Sequence, residues 1–250
     1  MEAARVAAVD SDLEEENRAV GTSTPEELID WALNRYGEKL VASTSFGATS
    51  AVMLHLVHKV APRTPIICVD TGYLFPETYL FAKDLVERLD LDVRFYSAEM
   101  SPARQEALYG KLWEQGDEGV ERYLQINKVE PMQRAIRELD AAAWMAGLRA
   151  EQTTHRAGLR RVDRQNGRIK LHPILNWTGE EMTAYMERHD LPYHPMVEQG
   201  YRSIGDHHST IPTTADMDPR DGRILGKTRE CGLHLPLTEE QNQSLKSSGL

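Results

Sequence analysis

Cys231 is the residue of this chain with the most distinctive chemistry. It lies in Arg229-Glu230-Cys231-Gly232-Leu233-His234, within a polar stretch that has no apolar periodicity, so its thiol is expected at the surface. A free thiol ionises near pH ~8.5, and cationic neighbours such as Arg229 draw that value toward neutrality. The thiolate is the form that attacks electrophilic sulfur. Cys68 is different: embedded in Ile66-Ile67-Cys68-Val69, it reads as a small buried hydrophobe. Two cysteines cannot form a disulfide framework, nor supply the thiolates of a zinc or iron–sulfur cage.

Three further groups of residues suit an anionic ligand. Ser43-Thr44-Ser45-Phe46-Gly47-Ala48-Thr49-Ser50 is a small, hydroxyl-rich turn entering a helix, which presents free N–H groups and a positive dipole end. It lacks the Gly and Lys of a Walker A loop and does not match GxGxxG, and the same Ser and Thr would serve a plain strand–helix turn as caps. Asp70-Thr71-Gly72-Tyr73-Leu74-Phe75-Pro76-Glu77-Thr78 follows the second expected strand. There Asp70 could accept hydrogen bonds from a ribose or adenine group, or simply shape a tight turn before a helix. The basic residues Lys128, Arg149, Arg156, Arg220 and Arg223 form the third group. Arg offers planar bidentate donors for phosphate and sulfate oxygens, although any one surface cation is more often a solvated charge. Arg149 stands out because it follows a strand directly. His55 and His58 on a helix and His207-His208 in a loop carry no matching carboxylate pattern for a metal.

Positioning such groups requires a scaffold, and its pattern is legible. Residues 1–23 are acidic without apolar periodicity and read as a loose lead-in. Thr24-Pro25-Glu26-Glu27 carries the N-cap, the early proline and the capping-box glutamate of a helix start, with Gly37 as its C-cap. Strands are expected at Leu40–Ser45, Ile66–Val69, Val93–Tyr96, Ala142–Ala146 and Ile169–Leu171. Between them, Val52, Met53, Leu56, Val57 and Val60, and then Phe81, Leu85 and Leu89, recur at helical spacing. Thr178-Gly179-Glu180-Glu181 starts another helix that ends near His189. Strands alternating with helices predict right-handed βαβ units and a doubly wound, mainly parallel α/β sheet. Such a sheet binds ligands at the carboxyl ends of its strands, near a switch in strand order. The expected organisation is a lead-in over 1–23, a nucleotide-binding α/β domain over 24–212, and a mobile C-terminal tail over 213–250 that carries Cys231.

The 250-residue chain is 40% apolar and 27% charged, which suits a soluble globular protein. Its net charge of −10 opposes non-specific binding to nucleic acid, while its local basic segments favour a small anion. No apolar run is long enough to span a bilayer. The start, Met-Glu-Ala-Ala-Arg and then Glu14-Glu15-Glu16, lacks the order of a signal peptide, so the cytoplasm is the expected location.

Taken in register, Ser43–Ser50, Asp70–Thr78, Tyr109–Gln115, Lys128–Pro131, Gly147–Gln152 and Glu230–His234 resemble the PAPS reductase family, part of the adenine-nucleotide PP-loop superfamily with its Rossmann-like sheet. The resemblance spans Leu40 to His234. It implies that Ser43, Ser45, Phe46 and Gly47, together with Asp70, Thr71 and Gly72, hold adenosine. It further implies that Lys128, Arg149, Arg156 and Arg223 surround the phosphosulfate and other phosphate charges, with His234 beside the substrate. Cys231 would take the sulfo group as S-sulfocysteine, expelling adenosine 3′,5′-bisphosphate, and reduced thioredoxin would then release sulfite, as in assimilatory sulfate reduction toward cysteine. No bound cofactor is implied; thioredoxin is a co-substrate, and a homodimer stays open.

Three departures sharpen this. The Gly-Gly of the SGGxDS-like signature of ATP pyrophosphatases is here Ser45-Phe46, and the acidic position is missing, which disfavours magnesium-dependent ATP cleavage. The related adenylyl sulfate (APS) reductases hold a [4Fe–4S] cluster, whose cysteine positions correspond here to Tyr123-Leu124 and Asp206/Ser209. Ala150 stands where many relatives have a second Arg. A clusterless APS reductase, a PP-loop adenylyltransferase and a non-catalytic nucleotide-binding module are the competing readings.

Overall fold

The computed structural model describes residues 12–214, 216–223 and 233. Six strands form one sheet: β1 (Leu40–Thr44), β2 (Ile66–Asp70), β3 (Val93–Ser97), β4 (Ala143–Ala146), β5 (Val162–Gln165) and β6 (Arg168–Leu171), in the order β3-β2-β1-β4-β6-β5. Every pairing is parallel except β5 with β6. The helices are α1 (residues 12–20), α2 (Pro25–Tyr36), α3 (Ser50–Val60), α4 (Pro76–Leu89), α5 (Pro102–Tyr109), α6 (Gly116–Leu124), α7 (Glu130–Glu138), α8 (Thr154–Ala157) and α9 (Gly179–Arg188). A π-helical turn, Gln125–Val129, joins α6 to α7. No helix among the described residues is long and apolar enough to cross a membrane.

The central strands β1, β2 and β4 read as nearly continuous apolar runs because both faces of the sheet are covered there. Alternation assigns the sides. Leu40, Ala42, Ile66, Cys68, Ala143 and Met145 join a core built with α2, α3, α4 and α9. Their neighbours Val41, Ile67, Trp144 and Ala146 join a second core with Met132, Ala135 and Ile136 of α7. Successive strand residues point to opposite faces, so one tetrapeptide serves two layers. The chain winds outward from β1 through β2 to β3, then crosses to β4 on the other side of β1. The order therefore switches between β1 and β4, and a crevice opens outside their carboxyl ends.

Local signals hold where they are strongest. Thr24 caps α2 by accepting from the Glu27 amide at Oγ1, and the Glu27 carboxylate in turn accepts from the Thr24 amide. Thr178 and Glu181 repeat the arrangement at α9. Gly37 ends α2 with φ 53°.

The structure also departs from the sequence reading. Residues 12–20 form a helix, with Leu13 and Val20 buried in the core, so this part of the acidic stretch is anchored. Asn17 acts as an extra rung on the sheet edge: its amide donates to the Val162 carbonyl at 2.7 Å and accepts from the Val162 amide at 3.0 Å. That edge is the unforeseen strand β5, joined to β6 by Asn166-Gly167, both at positive φ as a type I′ hairpin requires. At the other end, the described residues between 213 and 223 pack back on the domain. The Ile211 amide donates to the Gly222 carbonyl at 3.0 Å, and Arg202 donates to Thr213 Oγ1 and to the carbonyls of Thr214 and Met217. Packing thus continues past the expected boundary at 212.

Candidate functional site

A cavity of about 400 Å³ lies over the carboxyl ends of the central strands. β1 delivers Ser43 and Thr44, and the following turn brings Ser45, Gly47, Ala48 and Thr49 to the same wall at the start of α3. This helix start has no acidic residue in its first turn, and Thr49 makes no side-chain cap bond, so its positive end faces the cavity. Ser43 also donates to the Met145 carbonyl of β4 at 3.3 Å, which ties the two strands at the switch point.

All five of the basic residues singled out from the sequence converge here: Lys128, Arg149, Arg156, Arg220 and Arg223 line the cavity. Lys128 arrives on the π-helical turn and is only 7% exposed. Its ammonium meets Asp206 Oδ2 at 2.6 Å. Arg149 follows β4, where Gly147 runs close to Met53, and pairs with Glu151. Gln152 Oε1 accepts both from the Arg149 amide at 3.2 Å and from the Arg156 guanidinium, so one side chain coordinates two of the cations. Arg223 donates to the Ile204 carbonyl at 2.7 Å and to Ser203 Oγ at 3.3 Å, while its buried Nε has no partner among the described residues. A cavity-lining guanidinium whose N–H groups are not all taken by the protein suits an anionic ligand.

Thr71 joins this wall and donates to Asp206 Oδ1 at 2.6 Å. Burial alone would raise the Asp206 carboxyl, but the Lys128 charge and the bonds from Lys128 and Thr71 overcome it and hold the group down at about 2. Beneath lies an aromatic cluster. His208 stacks on Trp113 with ring centroids 3.8 Å apart and meets Tyr123 edge-on at 5.0 Å. Tyr123 and the Asp206–Ser209 turn, matched by resemblance to cluster-bearing positions, are therefore spatial neighbours. Among the described residues, no three His, Cys, Asp or Glu side chains converge as a metal-binding set.

Other sequence candidates stand elsewhere. Phe46 is fully buried in the main core, and Asp70 and Gly72 are not part of the cavity lining. Asp70 instead shapes its own turn, accepting from the Gly72 amide at 2.8 Å and from the Tyr79 hydroxyl at 2.7 Å. Gly72 has φ +73°, and a Cβ there would run into Pro102. Cys231 and His234 lie outside the described residues. Leu233, two residues beyond Cys231, lines the cavity, and its carbonyl accepts from Gln165 Nε2 at 3.0 Å. Cys68 is fully buried with its thiol pushed far up by desolvation, so it stays protonated. Sequence reasoning missed Arg202 and Gln152 in the lining, and it treated Asp206 only as a substituted cysteine position.

Comparison with known proteins agrees with this geometry. Residues 39–212 match the family model described as the phosphoadenosine phosphosulfate reductase domain. A phosphoadenosine 5′-phosphosulfate reductase of Synechocystis sp. is 54% identical over 230 residues, covering 91% of this chain and 92% of that protein. The enzyme of the same name from Thiocapsa roseopersicina is 50% identical over 225 residues, covering 90% and 94%. Among solved structures, the phosphoadenylyl-sulfate reductase of Candida auris in its phosphate complex superposes with TM-score 0.70 at 30% identity, covering 80% of this chain and 96% of that one. The FMN adenylyltransferase of Candida glabrata, at TM-score 0.53 and 14% identity over 95% of this chain and 82% of its own, shares the fold.

Proposed function

Because the chain belongs to the phosphoadenosine phosphosulfate reductase family, we propose that it reduces 3′-phosphoadenylyl sulfate (PAPS) to sulfite and adenosine 3′,5′-bisphosphate, with Cys231 as the sulfur nucleophile. One observation carries this reading: Lys128, Arg149, Arg156 and Arg223, from three stretches of the chain, meet in one cavity whose wall includes Leu233, two residues from Cys231. Two residues of chain span at most ~7 Å, so the thiol is within reach of an anion held there.

In the first stage the Cys231 thiolate attacks the sulfate sulfur. The bond from sulfur to the phosphate oxygen breaks, and the electron pair leaves with adenosine 3′,5′-bisphosphate. In the second stage a thiolate of reduced thioredoxin attacks Cys231 Sγ and expels sulfite, and thioredoxin's second thiol then frees Cys231 and leaves thioredoxin as a disulfide. The resolving thiol belongs to the partner, so one reactive cysteine suffices. Ser43, Ser45, Gly47 and Thr71 bind the adenosine end. The cations meet negative charge that grows on the phosphate as sulfur departs, where fixed donors favour the transition state over the ground state. Two cysteines cannot ligate a cubane cluster, so the enzyme works without one. The reaction serves sulfate assimilation in the cytoplasm.

The deciding experiment is intact mass after incubation with PAPS and, separately, with APS, without thioredoxin. A sulfo adduct from PAPS and none from APS supports the proposal. An adduct from APS alone assigns the chain to a clusterless APS reductase. Absence of any adduct, with pyrophosphate released from ATP and magnesium, assigns it to adenylyl transfer.

A further inference from the structure

The cationic wall has a hidden support in two consecutive residues, Gly205 and Asp206. Neither bears a positive charge, yet both line the cavity and each lies directly against one of the cations. Asp206 is 1% exposed and uses both carboxylate oxygens inward, one for the Lys128 ammonium at 2.6 Å and one for the Thr71 hydroxyl at 2.6 Å. Lys128 comes from the π-helical turn and Thr71 from the end of β2, so the carboxylate clamps two unrelated segments. Gly205 faces the other way. A Cβ built on it would fall 2.5 Å from Arg223 Cζ and 2.9 Å from Arg223 Nε, so the guanidinium lies flat against bare backbone. Gly205 does not have a positive φ, so space, rather than backbone freedom, is the reason for glycine there.

We propose that Gly205 and Asp206 are positioning residues for the anion-binding wall: Asp206 fixes the Lys128 ammonium, and the missing side chain of Gly205 is the slot that seats Arg223. The proposal rests on the reading of this cavity as the PAPS site. Asp206, itself part of the cavity lining, takes one N–H of the ammonium and leaves the other N–H donors for a ligand. Arg223 is held through Nη1 by the Ile204 carbonyl and the Ser203 hydroxyl, while its Nε is buried beside Gly205 with no partner among the described residues. One loop thereby registers a cation from the middle of the chain against another from near its end, a coupling that preorganised electrostatic sites depend on.

Gly205→Ala tests the slot without challenging the backbone, because only a flexible guanidinium must move. Its single-turnover rate of sulfo-adduct formation from PAPS is expected to fall to that of Arg223→Ala, on the order of 10²-fold. Its thermal midpoint should stay near wild type, and its affinity for adenosine 3′,5′-bisphosphate should fall several-fold less than the rate. The double variant Gly205→Ala/Arg223→Ala is expected to be no slower than Arg223→Ala alone, since a seat without its occupant has nothing left to lose. Asp206→Asn keeps shape and the bond from Thr71 but removes the counter-charge, and Lys128→Met/Asp206→Asn should likewise match Lys128→Met. A Gly205→Ala enzyme at the wild-type rate, or double variants whose losses multiply, would overturn the positioning role. Should Asp206→Asn fail to fold, the Gly205 series decides. Calorimetric titration with inorganic pyrophosphate separates the two ideas. If wild type forms no adduct, the PAPS reading fails. The positioning role is then judged on whether Gly205→Ala and Arg223→Ala weaken pyrophosphate binding equally and without additivity; equal affinity to wild type overturns it.

Discussion

Phe46 stacks on Phe95 of the edge strand with ring centroids 6.3 Å apart and planes 15° from parallel, and it does so from a left-handed backbone with φ 47°. An L-residue pays about 1–2 kcal/mol for that conformation, so the buried ring must hold the turn in place. The consequence is an inverted order of substitutions. Phe46→Ala should cost about 3 kcal/mol or more in urea unfolding, as for other buried Phe truncations. Phe46→Gly should be more stable than Phe46→Ala by about 1 kcal/mol, the reverse of glycine's usual penalty. Both should weaken nucleotide binding, because the Gly47–Thr49 wall follows directly. A Gly variant less stable than the Ala variant would show that the turn is relaxed.

Cys231 and Cys68 should behave oppositely toward PAPS. Without thioredoxin, one sulfo group of about 80 Da is expected on wild type and none on Cys231→Ser. Cys68→Ala should keep full turnover, because its thiol is fully buried and held protonated. Peptide mass mapping reads both outcomes; an adduct of equal yield on Cys68 would remove Cys231 as the nucleophile.

What the sequence revealed tracks how local each signal is. The helix starts at Thr24 and Thr178 need only four residues to declare themselves, and both capping boxes form. The central strands announce themselves because burial on both faces demands apolar runs. Val162-Asp163-Arg164-Gln165 is polar and short, so β5 passed unread even though Asn166-Gly167 marks its hairpin. Between Ser97 and Asp140 the sequence offered motifs rather than periodicity, and α5, α6 and α7 emerged there. In the site, the small and basic residues Ser43, Lys128, Arg149, Arg156 and Arg223 were legible by type. Membership of a motif did not say which way a side chain points: Phe46 turns into the core, and Asp70 caps its own turn. Arg202 and the Gly205-Asp206 pair act only through partners distant in sequence, which no local pattern encodes.

Acid should unfold the protein through two buried neutral histidines. His194 accepts from the Met196 amide at Nδ1, so its Nε2 carries the proton toward Thr78, while His172 donates from Nδ1 to the Arg160 carbonyl and leaves a buried Nε2 without a partner among the described residues. Desolvation holds both at about 4 against an ordinary 6.5. The unfolded chain therefore takes up protons first as pH falls. The stabilisation is complete above ~6.5 and is lost progressively down through about 4. The thermal midpoint is expected to drop on the order of 10 °C between pH 7 and pH 4. His172→Asn should flatten part of that slope; an unchanged slope would mean that carboxylates alone drive the acid transition.

Lys128, Arg149 and Arg223 provide the sharpest test of the anion site. All three line the cavity, and in the proposed reaction negative charge would grow on the phosphate leaving group as the sulfur–oxygen bond breaks. Donors fixed toward developing charge act more strongly on the transition state than on bound substrate. Neutralising one should slow sulfo-adduct formation on the order of 10²-fold, while affinity for adenosine 3′,5′-bisphosphate falls less, because Ser43, Ser45, Gly47 and Thr71 remain. Arg149→Lys isolates geometry from charge. Its planar fork is braced by Glu151, a geometry a lysine ammonium cannot reproduce, while the bond from its backbone amide to Gln152 survives the substitution. A clear defect in Arg149→Lys therefore reports bidentate recognition, and wild-type behaviour would reduce Arg149 to a point charge. Single-turnover mass measurements on Lys128→Ala, Arg149→Lys and Arg223→Ala supply the rates. If all three match wild type, these cations do not touch the phosphosulfate, and the cavity binds its nucleotide without helping the sulfur to leave.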